Sequence, residues 1–580
     1  MPFPPTSRAE MGARGWDRCD VVLVSGDAYV DHPSFGTAVI ARWLEHHGYR
    51  VGVIAQPDWR SPGGFMDLGR PRLFFGVSSG NIDSMLHHYT ANRKLRRDDP
   101  YSPGGRHGLR PNRAVIAYCN RLRQAFPDCP LVLGGIEASL RRLAHYDFWD
   151  DAVRRSLLLD AKADLLVYGM GERQALEVAR RAEAGERIAD MDDIPGTVAS
   201  TGRKGLDGLI GKKRSLVELP SFEETASSHE AFNLAARIIS EHARPDSGKA
   251  LVQRHGDRWV LANPPAQPLS TEEMDEVYGL PYERRAHPGY REPVPALETV
   301  RWSIVSHRGC YGGCSFCTLY FHQGPVIQSR TIGSIVREAE ALASDPKFKG
   351  TITDIGGPTA NMYGTGCGSA SGGKKCRKRS CLAPAACPSL KADQSPILRL
   401  WRAVAGVPGV KRVLVASGVR HDLALRDRRY LEELVQKRTG GHLKVAPEHC
   451  APHVLKLMNK PSIEAFIEFL SVFRRLSPRE QYLVPYLISS HPGCTRDDMD
   501  ELARFLGRHR LRVEQVQDFI PLPMTVSAAM YHTGADPFTG EPVFVERSPR
   551  GKLEQRYALS RAEERGSWED GGSGERRRRP

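Results

Sequence analysis

Gly309-Cys-Tyr-Gly-Gly-Cys-Ser-Phe-Cys-Thr318 sets Cys310, Cys314 and Cys317 in a C-x3-C-x2-C spacing on one short loop with glycines between them. Three thiolates can hold three irons of a [4Fe-4S] cluster and leave the fourth without a protein ligand. A cluster kept only for electron transfer takes four cysteines, so a group of three points to an iron that binds something exchangeable. The amino and carboxylate end of S-adenosylmethionine (SAM) suits that open coordination position. One electron from the cluster would then split the sulfonium and release a 5′-deoxyadenosyl radical, chemistry that belongs to the cofactor and that the protein positions and shields. The competing reading is part of a structural zinc site, which prefers C-x2-C pairs and four ligands in all.

The elements around the triplet suit such a site. Val300–Val305 reads as a strand that delivers the loop at its C-terminal end, the face of a β/α barrel where catalytic groups gather. The spacing of Ile335, Ala339 and Leu342 predicts a helix over Ser334–Ala343, followed by a strand over Thr351–Ile355 and then Gly356-Gly357-Pro358-Thr359. Gly356 and Gly357 would let backbone carbonyls approach an ammonium group that side chains would block. Val413–Arg420 is a further strand ending in a polar turn. Its Ser417 and Arg420 are candidates to meet ribose hydroxyls and the SAM carboxylate, since arginine offers paired donors in a fixed fork. Leu443–His449 and Leu483–Ile488 repeat the strand-then-polar format, and Gln515–Ile520 suits a last strand. Together they predict a partial barrel of about six β/α units over residues 296–525.

Within it lies a Cys-rich insert, residues 362–390, carrying Cys367, Cys376, Cys381 and Cys387 in a run rich in Gly, Lys, Arg and Ser. Thiols in a polar loop without its own apolar core suggest that a metal orders it. Zinc and an auxiliary iron–sulfur cluster both suit four thiolates, and the uneven spacing does not choose between them. Cys19, Cys119, Cys129, Cys450 and Cys494 share no spacing and read as structural.

Upstream, after an irregular start, Asp20–Ser25, Val51–Ala55, Leu73–Val77, Ala114–Tyr118, Leu131–Leu133 and Asp164–Val167 read as strands, with a helix over Gly36–Gly48. Their alternation predicts an α/β fold with a doubly wound domain over residues 1–202. Gly26–Gly36, Gly134–Glu137 and Gly169–Glu172 fall at strand C-termini, where ligands of such folds sit. The layout looks like the cobalamin-binding-type domain found ahead of some catalytic barrels. Asp31, His32 and Gly36 read D-H-x-x-x-G, with the histidine one position earlier than in D-x-H-x-x-G. This speaks against histidine ligation of cobalt and leaves a corrinoid bound without histidine open. Residues 203–295 read as a linking insert with an amphipathic stretch at Phe232–His242 and a short strand at Trp259–Ala262. Residues 526–550 form a C-terminal extension, and 551–580 a charged, disordered tail.

The chain has 580 residues, 40% of them hydrophobic, enough for two to four domains. Its twelve cysteines include the two bunched groups, which suits reduced thiols serving metal in the cytoplasm rather than a disulfide framework. No run reaches the roughly 18 apolar residues of a membrane span, and Met1–Arg8 lacks an apolar signal core. The net charge of +14 favours phosphates or acidic partners, but Arg576–Arg579 supply four of those charges. RNA is therefore a partner suggested by charge alone.

Gly26–Gly36, Ala55–Trp59, Gly134–Ala138, Gly169–Glu172, the cysteine triplet, Gly356-Gly-Pro-Thr-Ala-Asn-Met362, Val445–His449, His491-Pro-Gly493 and Met530–Gly534 resemble the YgiQ-type radical SAM proteins over roughly residues 5–550. The resemblance implies an N-terminal YgiQ-type domain, a radical SAM core and a C-terminal extension. It implies Cys310, Cys314 and Cys317 as ligands of a [4Fe-4S] cluster and Phe316, Gly356 and Gly357 as SAM contacts. In radical SAM enzymes the matching stretch often reads Gly-Gly-Glu, and here Pro358 replaces the acidic residue. The expected activity is hydrogen abstraction from an unidentified substrate, fed by a flavodoxin- or ferredoxin-type electron donor. Two alternatives stand beside it. One is methylthiotransferase-like modification of RNA or protein, suggested by Val454–Lys460, with Cys19, Cys119 and Cys129 as the only candidates for a further cluster. The other is a non-catalytic RNA- or ribosome-binding protein with a structural cluster.

Overall fold

A computed structural model describes residues 3–211, 215–246, 248–369, 376, 378–477, 481–511, 513 and 515–566. Val21–Ser25 (β1) is buried along its whole length, as a central parallel strand must be. Its alternate side chains enter opposite layers, Val22 and Val24 one apolar core, Val21 and Leu23 another. It pairs in parallel with Val51–Ala55 (β2) and Phe74–Ser78 (β3), and Leu131–Leu133 (β4) and Leu165–Val167 (β5) extend the parallel sheet beyond β3. The resulting order, β2-β1-β3-β4-β5, has its topological switch point between β1 and β3.

Two sequence expectations change here. Ala114–Tyr118 opens a helix, Ala114–Ala125 (α1), rather than forming a strand. A short apolar run reads either way, and the buried Ala114, Val115, Tyr118, Cys119 and Leu122 have helical spacing once the window is lengthened. Residues 203–295 do more than link. Thr197–Thr201 (β6) turns antiparallel to β5, and Leu216–Glu218 (β7), Ala250–His255 (β8) and Arg258–Ala262 (β9) continue from it, giving nine strands in the order β7-β8-β9-β6-β5-β4-β3-β1-β2. Only the edge strand β7 buries little; β8 and β9 are mostly buried, and the polar stretches between the three strands hide the pattern. The start of the chain also carries a short helix, Arg8–Ala13, capped by Ser7.

The second half places Ser303–Val305 (β10) parallel to Asp354–Gly356 (β12), and Thr351–Ile352 (β11) parallel to Arg412–Val413 (β13). His442–Glu448 (β14), Tyr482–Ser489 (β15) and Gln515–Asp518 (β16) form a parallel trio. Helices Ile332–Ala343, Ser395–Ala405, Ile463–Leu476 and Arg496–Arg508 pack outside around a core with Trp401, Tyr430, Phe466 and Phe469 fully buried.

The C-terminal end departs from expectation as well. Pro549–Gly566 is a helix, whereas the charged composition suggests disorder from residue 551. Lys552, Gln555 and Leu559, one face at i, i+3 and i+7, are all buried, and only one of the three is apolar, which is why the stripe escapes a hydrophobicity reading. Gln555 accepts from Ser490 N (2.9 Å) and donates to Cys494 O (3.0 Å), just past the end of β15. The rest of the expected tail, residues 567–580, lies outside the described residues. No helix among the described residues is long and apolar enough to cross a membrane.

Candidate functional site

The cysteine loop leaves the C-terminal end of β10 and is held by segments from several parts of the barrel. Cys310 N donates to Gly324 O (3.0 Å), Ser315 N to Met458 O (2.9 Å), and Ser527 N to Ser315 O (2.9 Å). Asn459 Nδ2 donates to Gly313 O at 2.7 Å, from a left-handed residue that ends the helix Pro452–Met458. Gly313 itself has φ +60°, and a Cβ there would stand 2.3 Å from Arg379 O, so both its conformation and its neighbour demand glycine.

The three thiols interact with one another and are half-buried. Burial, then the neighbouring Cys314 and Cys310, pushes the Cys317 thiol up to about 12, and burial followed by Cys314 raises Cys310. Arg420 supplies the compensating charge. It is buried, its Nε and Nη2 grip both Asp422 oxygens at 2.9 and 2.8 Å, and Nη1 is left 3.8 Å from Cys314 Sγ. Burial alone would raise the Asp422 carboxyl, but the charge and hydrogen bonds of Arg420 outweigh it and hold Asp422 below the usual carboxylate range. A cation fixed beside half-buried thiols favours thiolate, the form that binds metal. Among the described residues no three or more His, Cys, Asp or Glu side chains surround a point that one metal ion could fill.

The Gly-Gly turn lies beside this loop. Gly356 O accepts from Ser306 N at 2.8 Å, so that carbonyl already has a partner. A Cβ on Gly357 would be 2.5 Å from His307 O, which explains glycine there by packing. His307 Nε2 donates to Thr359 O (3.0 Å), leaving Nδ1 to accept from Ser306 Oγ (2.9 Å), and burial drives its pKa to about 4, so the ring is neutral. Thr359 Oγ1 is 3.9 Å from Cys310 Sγ. Ser417 is committed to Asp354, donating its hydroxyl to Oδ2, while Ala416 N (2.9 Å) and Ser417 N (3.1 Å) donate to Oδ1. Phe316 meets the His491 ring edge-on at 6.1 Å, and His491 Nε2 bonds Ser527 Oγ at 2.7 Å.

The structure thus brings Cys310, Cys314, Arg420 and the Gly-Gly turn with its Thr359 together, and turns Ser417 toward Asp354. Sequence spacing gives no reason to choose Asp422, Asn459 or Asn361. Asn361 is fully buried, accepts from Arg420 N (3.0 Å) and donates to Arg420 O (2.9 Å). Their only shared signal is position, in polar stretches close to barrel segments.

The nine-stranded domain reaches into this site. Glu172 Oε1 accepts from Arg308 Nη1 at 2.6 Å, two residues before Cys310, and Arg308 Nε donates to Tyr278 Oη at 2.7 Å. Ser139 Oγ bonds His322 Nδ1 at 2.9 Å, just past the loop. The switch point between β1 and β3 is filled from within: buried Arg110 pairs with Asp27 (2.9 Å) and Asp99 (3.3 Å) and donates to Ser79 O. His32 is fully buried near the Val300 and Arg301 backbone, and its Nδ1 accepts from Ser34 N at 3.0 Å. Cys19, Cys119 and Cys129 lie buried in the apolar core on one face of the sheet.

Comparison with known proteins agrees with this layout. Residues 3–303 match the family described as Radical SAM N-terminal, 304–506 the Radical SAM superfamily, and 514–569 a domain of unknown function, DUF3362. A UPF0313 protein of Geobacter sulfurreducens is 56% identical, covering 96% of this chain and 92% of that one. One from Methanocella arvoryzae is 52% identical, covering 93% and 90%. One from Yersinia pestis is 44% identical, covering 98% and 80%. The solved radical S-adenosylmethionine methyltransferase TsrM of Kitasatospora setae aligns with a TM-score of 0.50 at 16% identity, over 87% of this chain and 75% of that one, a likeness of fold alone.

Proposed function

This chain belongs to the UPF0313 family of radical SAM enzymes, and from that premise we propose that Cys310, Cys314 and Cys317 hold a [4Fe-4S] cluster whose fourth iron takes SAM, for hydrogen abstraction from a substrate still to be identified. When bound, that pair supplies one-electron cleavage of the sulfonium to a 5′-deoxyadenosyl radical. The observation that carries the reading is the buried Arg420 guanidinium, anchored on Asp422 and aimed at Cys314, in a loop that several barrel segments hold in place.

The chain's own residues do three things in this reading. Arg420 offsets thiolate charge that burial would otherwise disfavour. His307 and Thr359 meet at the Gly-Gly turn beside Cys310, and the Gly357 backbone is the part of that turn proposed to receive a ligand's ammonium. Buried Tyr311, Tyr320 and Phe321, around the loop and on the short helix after it, exclude water. With Ser417 turned to Asp354 in this state, recognition of a ribose by Ser417 requires that bond to be exchanged. A flavodoxin- or ferredoxin-type protein is the class of donor suited to one-electron reduction at such a site.

Anaerobically reconstituted protein with dithionite and SAM is expected to yield 5′-deoxyadenosine, and Cys314→Ala to abolish it. Undiminished 5′-deoxyadenosine from the Cys314→Ala protein would reject the assignment.

A further inference from the structure

The Cys-rich insert is not absorbed by that reading, and the fold gives it a definite place. A short antiparallel pairing of Gly366–Cys367 with Leu390–Lys391 closes the segment, and Cys387 N donates to Cys381 O at 2.9 Å. The insert then lies on the first cysteine loop: Cys381 N donates to Tyr311 O (3.0 Å) and Ser380 Oγ to Gly312 O (2.7 Å). Cys381 is within Coulombic reach of Cys387, Cys376 and Cys367. Between Thr365 and Leu390 the one fully buried apolar side chain among the described residues is Leu382, so packing alone offers the segment little reason to fold.

An independent observation points to what completes it. Arg244, from the nine-stranded domain, is 6% exposed, its Nε has no hydrogen-bond partner, and no carboxylate pairs with it among the described residues. The groups within its reach include the thiols of Cys381 and Cys367 and the hydroxyl of Tyr320. A buried guanidinium without a counter-charge is costly. Four neutral thiols do not relieve that cost, whereas four thiolates around a metal centre carry net negative charge and do.

We propose that Cys367, Cys376, Cys381 and Cys387 ligate a second metal centre, an iron–sulfur cluster, with Arg244 as its buried counter-charge. A single zinc ion would need these thiols to close on one point, which no three of them do among the described residues, and it has no redox chemistry. A position directly against the loop of Cys310, Cys314 and Cys317 favours a centre that can exchange electrons with one bound there. The four thiols are chosen on their own positions, while the preference for a redox-active cluster rests on the reading of the first site.

The test uses full-length protein reconstituted without oxygen from iron and sulfide, with metals counted by mass spectrometry and EPR recorded after dithionite. A variant carrying Cys310→Ala, Cys314→Ala and Cys317→Ala should keep about four irons and four sulfides per chain with a reduced-cluster EPR signal. Adding Cys376→Ala and Cys387→Ala should empty it. Adding Arg244→Gln instead should speed iron loss to a chelator several-fold. One zinc and no iron in the triple variant would overturn the cluster assignment. Metal-free triple variant beside a parent that holds only about four irons would overturn the second site altogether. Iron retention unchanged by Arg244→Gln would remove Arg244 from it. Failure of the first-site reading would look different, as absent 5′-deoxyadenosine in a parent whose second-site iron is intact.

Discussion

Glu172→Gln tests whether the N-terminal domain holds the cysteine loop through one buried ion pair. Glu172 and Arg308 are 2% and 3% exposed and meet at 2.6 Å. The substitution keeps the shape of the side chain but leaves Arg308 a buried cation. Removing one partner of such a pair costs about 3–5 kcal/mol. Arg308 keeps its bond to Tyr278 Oη and sits 4.9 Å from that ring's centre, and glutamine can still accept one bond, so the low end applies, about 3 kcal/mol. A unit of some 300 residues shifts about 2 °C per kcal/mol, which predicts a fall of about 6 °C in the unfolding midpoint. Anaerobic scanning calorimetry at one scan rate, on Glu172→Gln, Arg308→Gln and the double variant, measures it. Each single variant should lose stability, and the double should be no worse than the poorer single, a coupling of about 2 kcal/mol or more. Losses that simply add, or a midpoint unchanged in Glu172→Gln, would refute the reasoning.

Arg420→Lys keeps the charge but cannot grip both Asp422 oxygens while reaching Cys314, so reconstituted protein should release first-site iron to a chelator several-fold faster than the parent; equal retention would count against the role given to Arg420. Acid should destabilise the fold through buried histidines. Burial holds His307 and His449 at about 4 and His491 at about 3, against about 6.5 unfolded. Between those values the unfolded chain binds more protons, so stability rises with pH through the window, is complete above about 6.5 and is lost on acidification, His307 and His449 each contributing up to about 3 kcal/mol and His491 up to about 5 kcal/mol. The urea midpoint should drop steadily from pH 7 to 4.5, and less steeply in His449→Asn; a flat profile would exclude this origin.

What the sequence determined by itself is what depends on near neighbours along the chain. The C-x3-C-x2-C spacing needs only eight consecutive residues, and β1, β2 and β4 follow from short apolar runs between turn residues. The same local logic misreads Ala114–Tyr118, where five residues cannot separate a strand from a buried helix face, and the final helix, whose inner stripe is mostly polar. Tertiary structure decided the pairings that span large separations. Arg420 reaches Cys314 across 106 positions, and Arg308 meets Glu172 across 136. It also turned Ser417 to Asp354 and set Arg244 beside the second thiol group, because a charged or hydroxyl group taken out of water must find its partner wherever the packing of distant strands and helices leaves one.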